Sequence, residues 1–226
     1  MVIQMLTTQQ YNRGYRDISC YFKDRRQNNV IASATTNIRE PVTLRYGEES
    51  YVLLDEVSRI KRYPWTKPYP DSMHTKNMLG FRMVRSSDGK DAITAYRAAM
   101  TIEKKGLRKR NIGLTIYGYQ GKPYGLARVG FRDEPFYWQV LLDEEGNTAA
   151  VFKRHSETEN TDCRVTIYVE DEAMLELALL VATDAFVGDI YVDNDGGNLS
   201  AGPYTSRYPE EQALLDRSFV TRAEIT

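Results

Sequence analysis

The sequence predicts a mainly β domain: a closed antiparallel barrel of about twelve strands wrapped around one central hydrophobic helix toward the C-terminal end. Three observations predict it. The chain holds 16 tyrosines, and aromatic rings favour the pleated, half-buried surface of a strand. Short alternating or apolar runs, broken by turn residues, recur through most of its length. One segment, 172–187, is apolar around most of its circumference, and such a helix must be enclosed by protein or lipid.

The strand candidates in chain order are 18–23, 30–34, 42–45, 50–55, 78–85, 91–97, 99–103, 112–119, 123–129, 136–143, 148–152 and 163–169. Several connections name their own turns. Ser87-Asp88-Gly89-Lys90, Gln120-Gly121-Lys122-Pro123 and Glu144-Glu145-Gly146-Asn147 supply the Gly or Asn that tight hairpins need, so consecutive strands are expected to be antiparallel neighbours. The clearest hairpin is 141–152, with apolar arms around an acidic tip. The stretch 62–70 contains Pro64, Pro68 and Pro70, which cannot donate to a sheet ladder, and reads as a long loop or insertion. The ends differ in character from the middle. Residues 1–17 read as a polar leader, 18–188 as the barrel, and 189–226 as a tail with a short amphipathic helix over 210–219.

The helix begins among acids and ends before a glycine. Asp171 suits the N-cap, the carboxylates suit the positive end of the helix dipole, and Gly188 suits the position just past the end. Met174, Leu175, Leu177, Leu179, Leu180, Val181, Phe186 and Val187 cover most of its surface. A membrane span is excluded on length and charge. About sixteen residues at roughly 1.5 Å each reach about 24 Å, short of a hydrocarbon core of roughly 30 Å. Glu176 and Asp184 would also each cost several kcal/mol in lipid. Enclosure by the chain's own strands is the remaining solution, and closure also removes sheet edges.

A strand, a short acidic turn and an apolar helix with an acid near its end, here 163–169 followed by Asp171 through Phe186, resemble the tubby C-terminal-like superfamily, in particular its LURP-one-related and phospholipid-scramblase-like branches. Phe136-Tyr137-Trp138-Gln139-Val140, the turn Asp143-Glu144-Glu145-Gly146 and Ala149-Ala150-Val151-Phe152-Lys153-Arg154 are similar to the family's strand, D-x-x-G turn, strand and basic-residue unit. The resemblance covers 112–188 in detail and 18–111 in arrangement. It implies a twelve-stranded barrel around a central helix, and a binding role for phosphoinositide or another anionic lipid.

Composition narrows the function classes. At 226 residues, 42% hydrophobic and 27% charged, the chain suits one globular core. A formal net charge of -1 gives no global field to attract nucleic acid or anionic lipid, so such binding must come from a local cluster. The strongest cluster is Lys104, Lys105, Arg108, Lys109 and Arg110 around a glycine between two strands, which fits a phosphorylated headgroup. No nucleic-acid motif accompanies it. The residue-specific phosphoinositide motif of tubby proper is not found here, so no binding residue carries over from it. Arg62, Tyr63, Trp65, Lys67 and Tyr69 interleave cations with rings, as an interfacial or protein-binding loop does. With the tail, that loop supports an alternative role in protein–protein contact without lipid.

Catalytic signals are missing. His74 and His155 lie outside any metal-spacing pattern, and neither a nucleophile elbow nor a phosphate-binding loop is present. A pair formed by Cys163 and His155 is weighed against a core role for Cys163 and set aside. Asp193-Asn194-Asp195-Gly196 lacks the first and last ligands of a calcium loop, with Tyr191 and Gly202 at those positions, and reads as a turn. A non-enzymatic domain without metal or cofactor is therefore expected. Two cysteines, no export signal in Met1 to Leu6, and Val2 where myristoylation needs glycine point to the cytoplasm.

Overall fold

A computed structural model of the chain describes residues 1–12, 15–37, 40–56, 73–74, 80–103, 109–155, 163–187, 206 and 209–225. Period-two alternation builds the wall from β1 (Val2–Asn12), β2 (Tyr15–Asp24), β3 (Val30–Asn37), β4 (Glu40–Tyr46), β5 (Glu49–Glu56), β6 (Met73–His74), β7 (Gly80–Arg85), β8 (Asp91–Glu103), β9 (Lys109–Tyr119), β10 (Lys122–Gly130), β11 (Tyr137–Leu142), β12 (Thr148–Arg154) and β13 (Cys163–Tyr168). All thirteen join one sheet; among the described residues β6 pairs with β8 alone, and the other twelve form a closed antiparallel ring. The ring closes where β13 returns to β1, with Ile3 opposite Ile167 and Met5 opposite Val165.

Turn chemistry sets the register of the hairpins. Gly146 adopts a φ of 86°, a conformation costly for any residue with a Cβ, while Asp143 Oδ1 accepts from the backbone N–H of Glu145 and Asn147 at 2.9 and 2.8 Å. Beyond a bulge between Leu141 and Leu142, Val140 pairs with Val151 and Tyr137 with Arg154.

The expectation of a leader over 1–17 is corrected. Val2–Asn12 is a wall strand hydrogen-bonded on both sides, to β13 and β2. Ile3 and Met5 enter the core while Gln4 faces away, an alternation masked by the glutamines and threonines between. The expected strands 91–97 and 99–103 are one, β8.

The enclosed helix matches its expected span. Asp171 accepts from the N–H of Ala173 at 2.9 Å, a turn of 3-10 helix covers Glu172–Met174, α1 covers Leu175–Ala182, and a π turn covers Thr183–Val187. Gly188 lies outside the described residues. Leu177, Ala178, Leu179, Leu180, Val181 and Ala182 are each 0% exposed, packed in one core with Ile3, Phe22, Leu44, Met83, Ile93 and Ile167 from strands around the ring.

A second, smaller core lies outside the wall. Val129, Trp138, Val140, Val151 and Tyr168 face outward and meet Leu215, Phe219 and Ala223 around the helices α2 (Pro209–Gln212) and α3 (Arg217–Ile225). The expected tail helix over 210–219 is thus two helices. Arg217 to Glu134 and Arg222 to Glu170, both 2.7 Å, fasten α3 at its rim, where exposed ion pairs add little.

Leu180→Ala removes a fully enclosed side chain and is expected to lower stability by about 2–5 kcal/mol. The midpoint of urea unfolding measures this loss.

Candidate functional site

The two ends of the barrel differ, and α1 sets the difference. After β13 the chain reverses and threads back through the lumen, beginning among the hairpin turns and finishing where β12 ends and β13 starts. At the first end the half-buried carboxylate of Glu176 is satisfied by donors from the wall, since a partly desolvated charge left without them is costly. Tyr51 donates to Glu176 Oε1 at 2.6 Å and Tyr119 donates to Glu176 Oε2 at 3.0 Å. Gln120 Nε2 donates in turn to Tyr119 Oη at 2.9 Å. Burial first, and the Glu176 carboxylate second, push the hydroxyls of Tyr51 and Tyr119 well above the ordinary tyrosine range. At the far end Tyr117 donates to Asp184 at 2.6 Å.

That far end carries two arginines. Tyr137, on β11, lies opposite Arg154 on β12, and Arg154 Nη1 donates to Tyr137 Oη at 2.8 Å. The Arg154 guanidinium also sits 5.7 Å from the ring centre of Phe186, the last aromatic of the helix segment. Arg128 on β10 approaches the same Tyr137 ring to 5.6 Å. Arg164 Nε donates to Thr7 at 3.2 Å beside Cys20. Burial pushes the Cys20 thiol up to about 12, with Arg164 pulling the other way, so this sulfur stays protonated at neutral pH.

Neighbouring strands part at this end. The β9–β10 pairing ends at Leu114 opposite Ala127, yet β9 continues in register with β8 from Ala99 opposite Gly113 to Glu103 opposite Lys109. The two strands therefore extend past the β10 wall as a ribbon. Of the expected headgroup residues, Lys109 and Arg110 begin β9 at the end of that ribbon, opposite Glu103 and Ile102. Lys104, Lys105 and Arg108 lie outside the described residues, as do Arg62, Tyr63, Trp65, Lys67 and Tyr69.

His155 and Cys163 meet through a shared hydroxyl. His155 Nε2 is 2.8 Å and Cys163 Sγ 3.8 Å from Thr166 Oγ1, and Cys163 is half-buried, not a core residue. Among the described residues no group of three or more His, Cys, Asp or Glu could hold a metal ion. The far-end arginines escape sequence reading because nothing in Leu126-Ala127-Arg128-Val129 marks Arg128 as inward until the register is known. Comparison of the chain with family models, with curated proteins and with solved structures finds no match.

Tyr51→Phe is expected to cost about 1–3 kcal/mol by leaving a partly buried carboxylate oxygen short of a donor. The same tyrosines set an alkaline limit: the native state holds their protons more tightly than the unfolded chain. Their contribution is complete below the ordinary value of 10.0 and drains as pH rises above it. Urea midpoints across that range follow the loss, and Tyr51→Phe should flatten it.

Proposed function

We propose that the chain is a non-enzymatic binding domain of the tubby, LURP-one and scramblase-like kind. It associates peripherally with anionic phospholipid headgroups, phosphoinositides among them, at a cytoplasmic membrane surface. The observation that carries this is the β8–β9 ribbon. Its two strands stay paired to Glu103 and Lys109, so the connection bearing Lys104, Lys105 and Arg108 joins the ends of a ribbon that runs beyond the barrel wall. Cations gathered at one place act within a screening length of about 8–10 Å, where a near-zero net charge does not cancel them.

Two further features support surface binding. The lumen is occupied by α1, whose buried side chains leave its length to protein and not to an acyl chain or a transported solute. Among the described residues, no helix is long and apolar enough to cross a membrane. The tubby-like assignment draws support from the closed ring around a helix and from the 112–188 sequence pattern.

Sedimentation with vesicles tests the proposal. Binding is expected with phosphoinositide-containing vesicles, to weaken with salt, and to fall more than about tenfold in the Lys104→Glu, Lys105→Glu, Arg108→Glu variant, as each cation near a surface contributes roughly 1 kcal/mol. Equal sedimentation with neutral phosphatidylcholine vesicles would refute it and leave a protein-interaction role for the 62–70 loop and the tail.

A further inference from the structure

We propose that the parting between β9 and β10 is a binding site for one compact phosphate group that carries, or is flanked by, a hydroxyl. The inference rests on the binding-domain reading and assigns the contacts to different residues from the ribbon tip. Register places them together. Arg128 stands directly opposite Gln139, and Gln139 directly opposite Phe152; one step nearer the far end, Gly130 stands opposite Tyr137 and Tyr137 opposite Arg154. Direct cross-strand neighbours have Cβ atoms about 5 Å apart, so two guanidiniums, a phenol and an amide share one patch of the inner wall.

The patch is reached from the side. Beyond Leu114 and Ala127 the two strands no longer pair, and the β9 residue next in line is Gly113, which is exposed and has no described atom within 4 Å of where a side chain would start. Arg128 is exposed at this opening although its position faces inward, and among the described residues it contacts the Tyr137 ring. Arg154 is fixed from below by Tyr137 Oη and Phe186. One guanidinium is thus held in place and one is free to fold onto a ligand, an arrangement suited to a tetrahedral oxyanion with several acceptor oxygens.

Gln139 selects among oxyanions. It is 4% exposed, and its Oε1 has no hydrogen-bond partner among the described residues. An acceptor left without a donor in a buried place suits a ligand that brings one. Phosphate supplies its own P–OH or a neighbouring alcohol, whereas sulfate supplies neither. The carboxylate of Asp184 at the same end is held by Tyr117 at 2.6 Å.

Calorimetric titration of the full chain with inorganic phosphate tests the site, with sulfate as the control and phosphatidylinositol 4-phosphate vesicles as a second arm. Phosphate is expected to bind at one site, more tightly than sulfate, and Arg128→Gln to weaken it about tenfold with an unchanged thermal midpoint. Gln139→Met is expected to abolish the preference for phosphate over sulfate. Loss of vesicle binding in Arg128→Gln without any response to free phosphate identifies a lipid headgroup as the source and also supports the site. If Arg128→Gln changes neither arm, or if sulfate binds as well as phosphate, the proposal is overturned. Failure of ribbon-tip charge reversal to affect vesicle binding counts against the membrane reading alone, because the phosphate titration does not depend on it.

Discussion

A helix with apolar side chains pointing in every direction has no face to turn toward water, and every other feature of this molecule follows from giving α1 a surrounding. Leu177 through Ala182 have no exposed surface, and here a wall that closes on itself achieves that for six consecutive residues. Closure in turn demands that the first and last strands meet. The β1–β13 pairing is therefore a structural requirement of the helix, although Val2 and Tyr168 stand at opposite ends of the barrel sequence. Closing the ring also removes the free edges that an open sheet of this size would expose.

Enclosure creates its own electrostatic problem, and tyrosine solves it. Glu176 and Asp184 lie on the enclosed segment, and long phenolic side chains from the wall reach both. The hydroxyls satisfy the carboxylates as neutral donors, and at Glu176 the Arg85 guanidinium, directly opposite Tyr51, adds a compensating charge. Arg128 and Arg154 stand at the far end, around the Tyr137 ring. The proposed phosphate site lies among these guanidiniums, and the ribbon of β8 and β9 leaves from the same end.

Much of this architecture is legible in the residues themselves. The acids at 170–172 followed by an apolar run interrupted only by Glu176 declare the helix, and Asp143 with Gly146 declares the hairpin that sets β11 against β12. β1 is not legible, because Gln4, Thr7, Thr8, Gln9 and Gln10 give it a polar composition while Ile3 and Met5 alone carry the inward phase. The partners of Glu176 are hidden for a different reason. Tyr51 lies 125 residues away and Tyr119 lies 57 away, and only barrel closure brings them to the same carboxylate. Arg128 and Gln139 become neighbours through strand register, a property of the hairpin turns and not of either local sequence.

The central claim is that α1 is sealed inside the sheet and becomes accessible only when the sheet opens. Native-state hydrogen exchange of the amides of Leu179 to Ala182 examines it most directly. With α1 sealed inside the sheet, these amides exchange only through global unfolding, with the same denaturant dependence as the whole domain. Exchange at low denaturant, through local fluctuations that leave the β-sheet amides protected, would show that the helix lies outside the wall and would contradict the account.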